Sequence, residues 1–496
     1  MEAYHFFHSP GENSTIMKEV IVMKTAAVWF RRDLRLQDHT ALSEAVKWAE
    51  EHNGKLFLFF QLNPAFLEKP ADFRHHYFFQ TLKAFMDNCR DHKIAFHLMY
   101  GETEEIMEMV IEKVPEINLF LFNEDETGYG KERDDKVKRV LKENEVDYWT
   151  FQDHFLHGAR EVKKQDGSLY KVYTPYYKAW SKLEKKQPAE IDLKKLSACS
   201  VSIQDLPDTG AEKLEEMIGS LEEREDIGEE AALKTLKEFT DEKLEDYHKK
   251  RDLPAEAGTS RLSRYLKTGT ISIRTVYHHI MQTEDHPQDT GKETFIKELA
   301  WRDFYNMVYV QFPNSVKEEA DKRYRSIKWN TDKERLKAWK EGKTGYPIVD
   351  AGMRQLNEEG WMHNRLRMIT ASFLTKDYLL DWRLGEAYFA EKLVDYEPGS
   401  NIGGWQWAAS VGTDPVPYFR VFNPVTQSKK FDPDGEYIKK YVPELRDVDV
   451  KRIHEPWKMS SGEQKEAGCI IGTDYPEPTV NHSEQRVKAI EMFQGI

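Results

Sequence analysis

Residues 55–62 read KLFLFFQL, a run in which only Lys55 and Gln61 are polar. It does not alternate, so an extended segment built from it is apolar on both faces. Such a strand is stable only when both faces are covered, as in a parallel sheet. Runs of the same kind recur on either side: TAAVWF from Thr25, IAFHLMYG from Ile94, LFLFNE from Leu119 and VDYWTF from Val146. Between them, stretches such as HTALSEAVKWAEEHNG and KERDDKVKRVLKENE carry apolar residues at helical spacing and are long enough for parallel crossovers. Residues 23–153 therefore read as a doubly wound α/β domain with a five-stranded parallel sheet. No GxGxxG follows the first run, so a dinucleotide bound in the usual Rossmann manner is not expected.

Residues 154–225 shift to Lys, Glu, Asp, Pro and Ser with little apolar periodicity, and read as a long interdomain connection wrapping a surface. From 226 to 496 the pattern is helical, as in TFIKELAWRDFYNMVYVQF and WMHNRLRMITASFLTKDYLLDW. This half reads as an all-α domain. Residues 1–22 lack the basic start and apolar block of a secretory signal and read as a disordered extension, with Met17 or Met23 as an alternative start.

A chain of 496 residues with net charge −14 is long enough to enclose a large ligand, and too acidic to coat nucleic acid through a broad basic surface. A local basic groove stays compatible with that charge. The three cysteines, Cys89, Cys199 and Cys469, lie far apart without metal-ligand spacing, which fits a reduced cytoplasmic protein. The neighbouring pairs His75–His76 and His278–His279 diverge on a helix, so no metal site is expected. No apolar run reaches the roughly 18 residues of a membrane span.

Two segments mix polar groups with large aromatics on one helix face. Glu298, Trp301, Arg302 and Tyr305 fall at i, i+3, i+4 and i+7, and Trp361, Asn364, Arg365 and Met368 repeat that spacing. An aromatic core with satisfied polar residues is the plainer account of such faces; a ligand-facing wall is the other. In GTSRLSRYL, Thr259, Ser260, Arg261 and Ser263 stand at a helix start, where they serve either as a cap or as a phosphate site. Trp405 and Trp407 in NIGGWQWAASVGTDP point about 200° apart on a helix. They must meet different surroundings.

In order along the chain, TSRLSRYLKTG, ELAWRDFY, EGKTGYPIVDAGMRQL, GWMHNRLRM, DWRLGEAYF and NIGGWQWAASVGTDPVPYFRVFNP resemble the photolyase/cryptochrome family, and within it the bacterial class I cyclobutane pyrimidine dimer photolyases. The resemblance runs from VWFRRDLRLQDH near residue 28 to about residue 445. It implies a folded-back FAD within the helical domain and blue-light repair of a cyclobutane pyrimidine dimer in UV-damaged DNA, by a monomer needing no protein partner. The implied FAD set is Tyr247, Thr259, Ser260, Arg261, Leu262, Ser263, Arg302, Trp361, Asn364, Arg367, Asp395, Tyr396, Glu397 and Asn401, with Arg367 and Asp395 beside the ring and Asn401 at its N5 edge. Glu298, Asn364, Met368 and Asn401 are the implied catalytic residues. Trp405, Trp382 and Trp329 form the implied electron route to the surface. The implied DNA contacts are Glu298, Trp301, Arg302, Tyr305, Asn364, Arg365, Met368 and Trp407.

Two positions depart from the pattern. Glu397 stands where a second Asp is common, and Thr127 stands where folate-binding relatives carry Glu. The antenna is thus left open between methenyltetrahydrofolate, a deazaflavin, another flavin and none. The rivals are a cryptochrome that signals without repair and a flavoenzyme independent of nucleic acid. Asn401 at the flavin edge and the absence of a low-complexity tail favour repair. At the positions where (6-4) enzymes carry histidines this chain has Asn364 and Met368, neither of which shuttles a proton near neutral pH, so the dimer is the expected lesion.

Overall fold

The computed structural model describes residues 24–496 apart from 67–72, 205, 207–208, 219–223 and 285–289. The reading of residues 1–22 lies outside the described residues. Strands β1 (Thr25–Phe30), β2 (Lys55–Leu62), β3 (His97–Tyr100), β4 (Ile117–Asn123) and β5 (Asp147–Phe151) form one parallel sheet in the order β3-β2-β1-β4-β5. The crossovers are α1 (Thr40–His52), α2 (Phe73–Asp91), α3 (Thr103–Lys113) and α4 (Gly128–Glu143). Strands β1 to β4 are buried on both faces for most of their length, as their apolar runs require, whereas the edge strand β5 departs from that expectation, with Asp147, Tyr148 and Trp149 exposed because no further strand lies beyond it. Ala26, Val28, Phe30, Leu58 and Phe60 join one core, and Ala27, Trp29, Phe57, Phe59 and Phe122 join the other. Ile94 to Phe96 are apolar but precede β3, because Ala95 N–H is taken by the Ser200 hydroxyl instead of a ladder partner.

The connection 154–225 holds three helices, α5 (Tyr173–Trp180), α6 (Leu193–Cys199) and α7 (Thr209–Ile218). Its helicity is faint in the sequence because α6 buries only Leu196, and α7 buries Gly210, Leu214 and Ile218. The helical part contains α8 (Gly228–Glu242), α9 (Tyr247–Lys250), α10 (Ser263–Thr268), α11 (Ile273–Met281), α12 (Thr290–Gln311), α13 (Lys333–Glu341), α14 (Pro347–Glu359), α15 (Asn364–Ser372), α16 (Trp382–Lys392) and α17 (Pro398–Ala409). Further helices follow, and the last is His482–Gln494. Proline at the first position opens α14 and α17, where its missing N–H costs no helix bond.

Two close approaches position the functional region. Gly403 of α17 lies against α12, where a Cβ would come within 2.1 Å of the Tyr305 ring, so only glycine lets these helices meet. Gly269, at φ +68, lies against the β1–α1 loop, and its Cβ would fall 2.1 Å from the Arg32 carbonyl oxygen. That second contact joins the domains. Around it Arg274 donates to Asp38 at 2.7 Å and to Asp153 at 2.7 Å, and Arg35 donates to Asp153 and to the Gly269 carbonyl. These charges are buried and mutually paired, the condition under which an ion cluster is tolerated inside a protein.

Candidate functional site

Helix α17 answers the question raised by its two tryptophans. Trp405 is 2% exposed and packs on Phe389 at 5.0 Å and Trp339 at 5.9 Å. Gly385 of α16 makes room for it, since a Cβ there would lie 2.1 Å from the indole. Trp407, two residues on, is half-buried and lines an open cleft together with Trp301, Tyr305, Ile402, Gly403 and Asp414. The tryptophans expected to face DNA therefore share one cleft, between α12 and α17.

The polar residues expected around the ligands fall into pairs. Arg367 donates to the Met362 carbonyl at 2.8 Å and to Asp395 Oδ2 at 2.8 Å. The Arg261 guanidinium lies 4.2 Å from the centre of the Trp361 ring and 3.6 Å from Glu359. Leu262 and Tyr247 are buried, Ser260 Oγ accepts from Leu262 N–H at 3.3 Å, and Thr259 and Ser263 flank them at the start of α10. Asn401 donates its amide to Glu386 Oε1 at 3.0 Å. Asn364 Nδ2 approaches Met368 Sδ at 4.0 Å, so these two sit side by side on α15. Arg365 is held by Asp252 at 2.8 Å, and Glu298 by Arg251 at 2.6 Å. Burial pushes the Glu298 carboxyl above its ordinary range, and the Arg251 guanidinium opposes without cancelling the shift.

The shared helix face expected for Glu298, Trp301, Arg302 and Tyr305 divides. Arg302 turns towards the α/β domain, donating to the His154 carbonyl, stacking 4.4 Å from the Phe155 ring centre and standing 3.6 Å from Glu397. Glu397 likewise belongs to the domain boundary, because Arg32 donates to it at 2.7 Å and to Asp125 at 2.6 Å. Burial alone would raise the Glu397 carboxyl; Arg32, Lys267 and Arg302 outweigh it and hold it at about 2. Tyr396 donates to Glu386 Oε1 at 3.2 Å and lies under the Arg74 guanidinium of α2. Here a glutamate reaches across the boundary from a place where aspartate is common. Thr127 is the N-cap residue of α4 and makes no side-chain capping bond.

Trp382 is fully buried, and its indole N–H donates to Glu319 Oε1 at 3.2 Å. Trp329 is half-buried beside Phe493, and the Asn330–Leu379 hydrogen bond of 2.7 Å ties its segment to the residues preceding α16. Sequence reasoning passed over Arg251, Asp252, Glu319 and Asp414. None of them falls on an apolar period, and each is recognised only through the partner it holds in space.

Residues 295–495 match the FAD binding domain of DNA photolyase and residues 26–193 match the DNA photolyase family model. A deoxyribodipyrimidine photo-lyase of Alkalihalophilus pseudofirmus is 50% identical over 471 residues, covering 95% of this chain and 98% of that one. The chain belongs to the DNA photolyase family. The deoxyribodipyrimidine photo-lyase of Escherichia coli is 37% identical over 501 residues, covering 95% and 99%. Among solved structures, a class III photolyase of Agrobacterium tumefaciens superposes with a TM-score of 0.87 at 34% identity over 97% of this chain and 99% of that one. A Synechocystis cryptochrome gives 0.84 at 25% identity over 95% and 99%. As in the photolyase family at large, an α/β sheet domain precedes a helical FAD-binding part, so the two-domain α/β plus all-α reading stands.

The residues present fit FAD. Asp395 is 6% exposed, and its Oδ1 has no hydrogen-bond partner among the described residues. A buried carboxylate oxygen left unpaired is costly, and the hydroxyl and ring N–H donors of FAD meet that need. A Cβ on Gly404 would meet nothing within 4 Å, which leaves space beside α17 near Asn401.

Proposed function

We propose that this chain is a light-driven DNA repair enzyme, a deoxyribodipyrimidine photo-lyase acting on cyclobutane pyrimidine dimers. The observation that carries the reading is the 50% identity to a deoxyribodipyrimidine photo-lyase across almost the whole of both chains. Arg367, Asp395 and Asn401, together with Tyr247, Trp361 and residues 259–263, would hold FAD. When bound and reduced, FAD supplies under blue light the electron that splits the cyclobutane ring, and recovers it afterwards.

The protein's own residues do the rest. Photolyases act on a lesion taken out of the base stack, and the cleft between Trp301 and Trp407 offers it apolar indole faces. Glu298, held by Arg251 and with its carboxyl raised by burial, is the group assigned to hydrogen-bond the pyrimidine edge. Asn364 supplies amide hydrogen bonds, Met368 packs beside it, and Arg365 lies near the strand's phosphates. Tyr305 completes the wall. Arg302 and Glu397 contribute indirectly, by locking the domain boundary behind α12 and α17. Trp405, Trp382 and Trp329 would give oxidising equivalents a route from the FAD site towards the surface. We place the protein in the cytoplasm as a monomer; among the described residues no helix is long and apolar enough to cross a membrane.

The test uses chemically reduced, FAD-loaded protein under blue light with two oligonucleotides, one carrying a cyclobutane dimer and one a (6-4) photoproduct, followed by chromatography. Restoration of the dimer strand is expected. Restoration of neither would favour a receptor without repair activity, and comparable restoration of the (6-4) strand would overturn the assigned lesion.

A further inference from the structure

Tyr173 opens α5, within the connection between the domains, yet its ring lies flat on Trp301 of α12. The ring centres are 3.5 Å apart and the planes differ by 6°. Tyr173 does not line the cleft that Trp301 lines; it stands behind the indole. Both ends of the tyrosine are fixed. Its hydroxyl donates to the Lys297 carbonyl at 2.6 Å, one turn before Trp301 on the same helix, and its N–H donates to Asp414 Oδ2 at 3.0 Å. Asp414 lines the cleft itself. Phe304 meets both rings edge-on, at 5.5 Å from Trp301 and 5.7 Å from Tyr173, and Tyr177 stacks behind at 6.0 Å.

An indole at the mouth of a cleft has rotamer freedom that a ligand must remove on binding, which lowers affinity. A parallel aromatic backing removes that freedom in advance and adds its own stacking attraction. We propose that Tyr173 is a positioning residue for lesion recognition, holding the Trp301 indole in the plane in which it receives a flipped pyrimidine dimer. This rests on the reading of the cleft as the lesion site. It makes the interdomain connection part of the substrate machinery, through one side chain that never touches the substrate.

The experiment uses FAD-loaded full-length protein and measures affinity for a dimer-containing oligonucleotide and for its undamaged counterpart. The variants are Tyr173→Phe, Tyr173→Leu, Tyr173→Met, Trp301→Ala and the Tyr173→Leu/Trp301→Ala double variant, with FAD content as the control for folding. Tyr173→Phe should keep the wild-type preference, since it retains the ring. Tyr173→Leu and Tyr173→Met should each lose about three- to tenfold in lesion affinity with undamaged DNA unchanged. In the Trp301→Ala background the Leu change should have no further effect, because the two residues act as one unit. Equal losses on both DNAs, or losses additive with Trp301→Ala, would overturn the proposal. Undiminished lesion preference in Trp301→Ala itself would instead overturn the reading of the cleft.

Discussion

Trp405 and Trp407 share a residue type and a helix, and their surroundings separate their work. Trp407→Ala should leave FAD content unchanged and weaken binding to dimer-containing DNA by about 1–3 kcal/mol, the worth of one base-aromatic stack. Flavin absorbance measured alongside gel-shift affinity checks this, and loss of flavin with intact DNA binding would mean the two indoles are assigned the wrong way round. Trp382 differs in having no solvent contact and a carboxylate on its N–H. Phenylalanine fills most of its space but is much harder to oxidise. Trp382→Phe should therefore stop photoreduction of oxidised FAD while chemically reduced enzyme repairs at the wild-type rate; equal loss in both assays would remove Trp382 from the route.

At the scale of elements, α17 packs through glycines whose neighbours differ. Gly403 has the Tyr305 ring 2.1 Å from where a Cβ would stand, whereas Gly404 has nothing within 4 Å. Gly403→Ala should force α12 and α17 apart and cost about 1–3 kcal/mol in a urea titration. Gly404→Ala should be neutral in the FAD-free protein or gain up to about 1 kcal/mol from helix propensity, yet bind FAD more weakly because its methyl enters the flavin space. Unchanged FAD affinity in Gly404→Ala would place the flavin elsewhere. The α12 segment was legible as a helix from spacing, with Trp301 and Tyr305 on one face, whereas α17, its pattern broken by Gly403 and Gly404, showed no such period and its helix was only supposed. Arg302 was misplaced by the same rule, because a residue at i+4 lies at the margin of a stripe and a long guanidinium follows its partners, here the His154 carbonyl and Glu397.

Across the whole molecule, the domains are joined by buried charge. Glu397 is held at about 2, below its value of roughly 4.3 in an unfolded chain. A carboxyl depressed in the folded state adds stability that is fully present above the unfolded value and is lost as pH falls towards the folded one. Glu397→Gln should thus be less stable than wild type at pH 7, with the difference shrinking as pH falls from about 4.5 towards 2. Urea midpoints across that range measure it, and a gap that stays constant with pH would show that the Arg32 bridge contributes no linked stability.

The sequence by itself determined the parallel sheet, since its predominantly apolar, non-alternating runs are stable as strands only when both faces are covered, although the fifth lies at the exposed edge. It also determined the helical half and the divergence of Trp405 from Trp407, both consequences of a fixed helical repeat. Ordered motifs carried the family, which whole-length comparison then showed. Only the tertiary structure decided that Tyr173 backs Trp301, that Arg251 holds Glu298, and that Glu397 reaches Arg32 instead of standing free. Each of these pairs joins residues distant along the chain. Local periodicity records which way a side chain leaves its own element, and it carries no record of what the fold brings to meet it.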